Sequence, residues 1–276
     1  MNALVQALNV FLPLGYLVAT VLHGMAFAGE RAPALASQRR ALLPAVLVAH
    51  AGLFVVHARG MRVFPVHGTW LMISAIAFAT ALLFLLVARK NRQETVGAIV
   101  LLLVTALQAI ASAFGPMQLV AETSPSGAFR VLHVLTSVIA SAALLLSGIY
   151  GFLHIVLYRQ LRQRTFGTLF RQLPDLAVLA RVLRRSALAG FLFLTVGLNV
   201  GIGMAHAMKT EGFQYRDPQV LLTLALWIHF GVIAFSQRIR GLSARRASFA
   251  AAAGLVTLIA VLFLTLIPAL TFHAQH

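Results

Sequence analysis

The sequence predicts an all-α polytopic integral membrane protein with eight transmembrane helices and both termini on the outer, extracytoplasmic side. Three observations carry this. Of the 276 residues 60% are hydrophobic and only 10% charged. Apolar runs of about 20 residues, the length that crosses a bilayer core as a helix, recur along the whole chain. The basic residues collect in alternate connections between those runs, as the positive-inside rule requires. The formal net charge of +16 is therefore no sign of nucleic acid. It sits in short clusters between apolar runs, which suits topology and the anionic lipids of the membrane surface. The absence of cysteine excludes thiolate metal sites, disulfides and thiol catalysis.

Taken in order, the first helix is expected over 10–28. No basic residue precedes it, so it lacks the positive leader of a cleaved signal peptide and reads as a retained span. The second is expected over 42–58, the third over 70–88 and the fourth over 96–114. The fifth, over 129–158, is longer than a bilayer needs. A basic segment follows over 159–185, with Phe166, Leu169, Phe170, Leu173, Leu176 and Leu179 among its apolar positions. That pattern predicts an amphipathic linker lying on the cytoplasmic membrane surface. The sixth helix is expected over 186–207. The seventh, over 218–237, has a strong start, because an Asp217 carboxylate can cap free N–H groups and Pro218 suits the first helical position. The eighth is expected over 249–272. No soluble domain or internal repeat is evident, so residues 1–276 read as one transmembrane domain.

Orientation follows from the cations. The first, third, fifth and seventh connections carry 3, 3, 7 and 4 Lys or Arg residues, against 2, 1 and 2 in the others. The odd connections are thus expected on the cytoplasmic side.

The ten histidines then divide by depth. His57, His67, His133, His206, His273 and His276 fall at or near the outer face, where Arg62, Arg130 and Arg216 also lie. Imidazole ligates metals and haem iron, and arginine pairs with carboxylates and phosphates; each residue equally suits a plain interfacial role. His23, His50, His154 and His229 lie within spans. His154 reads as a headgroup-level residue. His23 and His50 either face each other or bond to backbone. His229, with Trp227 beside it, is placed roughly 16 Å into its helix, near the bilayer centre, where a histidine is a functional candidate. Gly197, Asn199, Gly201 and Gly203 allow the sixth helix to approach a neighbouring helix or a flat ligand closely.

Three stretches carry a resemblance to a known family. The fifth helix opens with LHVLTSVIASAALLLSGIYG, an external histidine followed by small residues. FLTVGLNVGIGMAHA and YRDPQVLLTLALWIHF are similar to a family segment in which a tryptophan-rich loop ends in Trp-Asp-Pro and leads to an in-membrane histidine. LTLIPALTFHAQH is similar to a final helix ending in a second external histidine. From Arg130 onward the chain resembles the cytochrome c-assembly family of haem-handling membrane proteins, the CcsA, CcmC and HemX group, and most of all the small HemX-like branch.

The resemblance implies a multi-pass protein of the bacterial cytoplasmic (inner) membrane that binds haem b. His133 and His273 would be the external axial ligands, with His276 competing for the terminal role. His229 would match the in-membrane histidine, a transient or second site, and Trp227 lies beside it. Tyr215, Asp217 and Pro218 would match the loop that cradles haem, with Arg130 and Arg216 placed for propionates. The loop here is short, holds Phe213 and Tyr215 but no tryptophan, and has Arg216 where the family has tryptophan. Haem binding, transfer or regulation is therefore expected rather than thioether synthesis, with a partner membrane subunit or an apocytochrome as possible partners. The other open reading is a haem-free accessory or regulatory subunit, or a small-solute transporter, with interfacial histidines. No acidic residue falls inside an expected span, which argues against a cation-coupled carrier. The motifs of hydrolases and zinc enzymes are missing.

Overall fold

The computed structural model describes residues 2–28, 33–61, 66, 68–91, 96–115, 127–165, 167–207 and 218–264. Among them the chain is helical throughout: α1 (Asn2–Ala28), α2 (Pro33–Met61), α3 (Gly68–Asn91), α4 (Gly97–Phe114), α5 (Ala128–Gln163), α6 (Thr168–Gln172), α7 (Leu176–Ala207), α8 (Pro218–Ala234) and α9 (Ala244–Leu264). Seven of these are long and apolar enough to cross a membrane, and α8 is a shorter apolar helix. The protein is thus a polytopic α-helical membrane protein.

The surface confirms what the helices are built to face. Along α1, Val10, Phe11, Leu14, Leu17, Val18 and Val21 are exposed, while Val5, Leu12, Tyr16, Ala19 and Ala26 are buried. Both stripes are apolar. A helix presenting such an outer stripe is matched to lipid, since water would favour a polar one.

The helices gather into two compact units. The first comprises Met1–Ser126 and Gln160–Pro174, the second Gly127–Arg159 and Asp175–His276. In the first, α1 packs on α2 and α4, and α3 packs on α4. In the second, α8 packs between α7 and α9, and α5 meets α7 and α9 through small residues. A Cβ on Gly148 would stand 2.5 Å from Leu255 Cβ, and one on Gly151 would stand 2.9 Å from the Ser248 carbonyl oxygen. Only glycine permits the α5 and α9 backbones to come this close. Ser147 Oγ adds a hydrogen bond to the Leu183 carbonyl of α7 at 3.0 Å.

In place of a surface linker over 159–185, α5 continues to Gln163 and α7 begins at Leu176. Two local devices set these limits. Arg164 adopts the left-handed conformation, with φ 56°. Around it Thr165 N–H bonds to the Gln160 carbonyl and Arg164 N–H to the Leu161 carbonyl, the paired bonds of a Schellman stop. Eleven residues later, after the short α6, Asp175 Oδ1 accepts the Val178 N–H at 2.8 Å and caps α7. Nothing between Leu176 and Ala207 breaks a helix, so the basic residues of this stretch ride on the first turns of α7.

Candidate functional site

His133 is the best-defined member of the candidate site. It stands in the second turn of α5, part-buried against α7. Its Nδ1 lies 2.8 Å from the Gly197 carbonyl oxygen. A carbonyl can only accept, so Nδ1 carries the proton and Nε2 is left with its lone pair. This is the arrangement by which a carbonyl orients a metal-ligating imidazole and fixes its tautomer. The ring rests on Gly201, where a Cβ would stand 2.7 Å from His133 Cε1. The glycines of α7 thus form the seat of the ring: Gly197 supplies the carbonyl and Gly201 the space. Gly203 has open space around its α-carbon and takes no part in it. Asn199 is exposed and bonds to the Thr195 carbonyl of its own helix at 2.7 Å. Arg130 lies part-exposed one turn before His133.

His229 is built on the same principle at another level. Its Nε2 lies 2.8 Å from the Ala250 carbonyl oxygen of α9, so here Nε2 carries the proton and Nδ1 the lone pair. Gly254 of α9 makes room for both His229 and Phe230. Trp227 faces elsewhere. Two residues apart on a helix means opposite sides, and Trp227 turns to α7. Its indole stacks on Phe191 with ring centroids 5.3 Å apart, and its Nε1–H donates to Thr195 Oγ1 at 2.7 Å. The pairing of Trp227 with His229 expected from the sequence is therefore not formed; each is held by a different neighbour. His133 and His229 are also apart in depth. His133 meets α7 at Gly197–Gly201, whereas α8 meets α7 near Phe191 and Gly231, roughly 10 Å further along the axis at 1.5 Å per residue.

His67, Arg62, Phe213, Tyr215, Arg216, Asp217, His273 and His276 lie outside the described residues. Among the described residues no three His, Asp or Glu side chains gather as a metal centre would require.

The first unit treats its histidines differently. His50, fully buried, lies 2.9 Å from Tyr16 Oη through Nδ1 and 2.9 Å from Ser74 Oγ through Nε2. Ser74 in turn donates its one proton to Gln108 Oε1 at 2.9 Å, so the Ser74 oxygen must accept from His50. That fixes the Nε2–H tautomer, with Nδ1 accepting from Tyr16. Gln108 Nε2 then donates to Ser112 Oγ at 3.1 Å. One directed chain of bonds therefore links α1, α2, α3 and α4, enclosed by Phe54 and Phe78 against the imidazole. Of the two alternatives read from the sequence for His23 and His50, the facing pair is not formed, and the network itself was not read from the sequence. His23 bonds to the Ala19 carbonyl of its own helix at 2.8 Å, and His50 to side chains. The legible signal was Gln108, an amide alone in an apolar span.

His57, expected at the interface, is only 2% exposed and gives its Nδ1–H to the Leu53 carbonyl at 2.9 Å. It lines a cavity of ≈ 10 Å³ together with Ser74 and Gln108, the space of a single water. Its Nε2 has no protein partner, as a nitrogen facing a water site would not.

The model of the family described as cytochrome C assembly protein matches residues 66–271. Three-quarters of the chain is covered by that match, and the protein belongs to this family. No curated protein matches the chain.

Proposed function

We propose that this protein is a haem-handling member of its family, which takes up haem b and presents it at the outer face of the bacterial inner membrane. Membership of the family supports a role in cytochrome c biogenesis. The observation that carries the finer reading is the state of His133. Its Nδ1 is engaged by the Gly197 carbonyl, which in the neutral ring leaves the Nε2 lone pair unused by that bond, the kind of nitrogen that binds haem iron. The fit extends to Gly201, whose missing Cβ is what lets the ring stand where it does.

In this reading His133 and His273 are the axial pair, and Arg130 and Arg216 neutralise the propionates. Tyr215 and Asp217 border the haem, and His229 holds a second or transient position through Nδ1. Bound haem would supply the cargo and its iron's affinity for imidazole. The protein's own part is to orient the rings, fix their tautomers and keep the arginines near. This asks for no bond making in the polypeptide, which suits a carrier or regulator better than a thioether synthase. The small HemX-like branch is the nearest description. A partner membrane subunit or an apocytochrome would receive the haem.

Purification in mild detergent from haem-supplied cells, with oxidised and reduced spectra and a pyridine haemochrome assay, tests this. Near-stoichiometric haem with sharp α and β bands on reduction is expected. His133→Ala and His273→Ala should each lower occupancy about tenfold, as loss of one strong ligand does, with partial rescue by imidazole. A colourless protein that takes up no added haem would instead establish the accessory-subunit reading.

A further inference from the structure

We propose that the basic end of the second unit is a phosphate-binding site for the headgroup of an anionic phospholipid. A cavity of ≈ 1290 Å³ opens there. Its lining includes Arg181 and Arg184 of α7, Arg245 and Arg246 of α9, and His154 and Tyr158 of α5. No acidic side chain is part of that lining. The neighbouring carboxylate, Asp175, is committed to the cap of α7. Four guanidiniums in one concave space whose described lining holds no carboxylate repel one another, and an anion relieves that.

Two of the four are already held in position. The Arg245 guanidinium lies 5.1 Å from the centre of the Tyr158 ring and 5.7 Å from that of Phe249. Arg246 Nη1 donates to the Gly241 carbonyl at 2.8 Å. Each guanidinium has five N–H groups in a planar fork, so these contacts orient it and leave donors for phosphate oxygens. Leu176 and Ala244, the first residues of α7 and α9, also border the cavity. Two helix N-termini therefore add their partial positive charge to it.

The independent observation is His154. It is 4% exposed, and its Nδ1 is enclosed without a hydrogen-bond partner. The other described histidines all use a ring nitrogen on a protein acceptor or hydroxyl. His23, His57 and His206, for example, give Nδ1–H to the carbonyl one turn back. His154 makes no such bond, although Tyr150 stands one turn back on the same helix. His154 also lines the arginine-lined cavity, so an imidazole with a ring nitrogen unused by the protein stands at the wall of the space a phosphate would fill. Phosphate matches this donor set. A lipid is the source that the setting favours, because the cavity lies where α5, α7 and α9 carry their basic ends out of apolar spans. Basic pockets between membrane helices at the cytoplasmic surface are where phosphate headgroups are held.

The test uses the full chain in neutral micelles, and its outcome is independent of whether haem is bound. Titration with diphosphatidylglycerol should raise the melting temperature saturably, and phosphatidylcholine should not. The double variants R181Q/R184Q and R245Q/R246Q should each weaken the apparent affinity about tenfold, the effect of losing charge-assisted bonds. R162Q/R171Q, which removes the same charge from exposed residues outside the cavity, should leave it unchanged. Equal weakening in all three would overturn the site in favour of diffuse surface attraction. An equal rise with inorganic pyrophosphate alone would overturn the lipid assignment. Should a cavity variant not fold, native mass spectrometry of the parent decides: one anionic lipid retained per chain supports the site, and none retained rejects it. Haem occupancy in the cavity variants should stay at the parent level, so the two proposals fail separately.

Discussion

Each unit holds histidines between its helices, and His50 of the first is held in the opposite way to His133 and His229 of the second. In the first unit His50 has both ring nitrogens engaged, one by Tyr16 and one by Ser74, and the chain of bonds runs on to Ser112 with each donor and acceptor in order. In the second unit His133 and His229 each give one N–H to a backbone carbonyl of a neighbouring helix and keep the other nitrogen as a lone pair. A histidine satisfied on both sides can only hold helices together. A histidine satisfied on one side is held and still able to ligate. The comparison teaches that burial alone is a poor guide to function. His50 is the most deeply enclosed histidine described and is structural.

The largest expected effect is on the closed network. His50→Leu leaves Tyr16 Oη without a partner and Ser74 Oγ without the donor it accepts from, in a buried site, and should cost about 2–4 kcal/mol of stability. Unfolding of the purified variant in mixed micelles measures this. Haem occupancy of the folded fraction should match the parent; a loss of haem there would break the division between the units. Next comes Gly151→Ala, whose new methyl meets the Ser248 carbonyl, a backbone atom that cannot step aside. A loss of about 1–3 kcal/mol is expected in the same assay, whereas Gly24→Ala and Gly52→Ala, which meet nothing within 4 Å, should not destabilise.

A smaller but more telling effect belongs to Gly201→Ala. Its methyl displaces the His133 ring, which can rotate away, so the fold should lose less than about 1 kcal/mol. Haem uptake should fall several-fold, while Gly203→Ala leaves it intact. Unchanged uptake in Gly201→Ala would remove His133 from the ligand set. The smallest effect is expected of Trp227→Phe. It keeps the stack on Phe191 and loses only the bond to Thr195, a change of about 0.6 kcal/mol for an intramembrane hydrogen bond. Haem uptake should not change, since Trp227 faces α7 and His229 faces α9.

Much of the architecture was legible because a bilayer leaves few choices. Each apolar run of sufficient length must be a helix, since no other local structure satisfies its backbone in lipid. The basic stretch after α5 was the exception. Its amphipathic pattern suits a surface helix as well as the first turns of a span. The choice was made by Asp175 as a cap and by the left-handed Arg164. Of the candidate site, His133 was named from the resemblance of its stretch to the family, and its seat on Gly197 and Gly201 came only from the packing of α7. The partnership of Trp227 and His229 was misjudged because closeness in sequence is not closeness on a helix. Tyr16, Ser74, Gln108 and Ser112 went unnoticed as a group, since they come from four different helices.

The sequence by itself therefore determined the class of protein and that its apolar runs are helices, because length and hydropathy are local properties that lipid reads directly. Only the tertiary structure decided what each histidine can do. That depends on which ring nitrogen is engaged, and the partners are remote: Gly197 is 64 residues from His133 and Tyr16 is 34 from His50. Such pairings are set by how the helices pack, and one glycine on a facing helix is enough to determine whether an imidazole is seated as a strut or as a ligand.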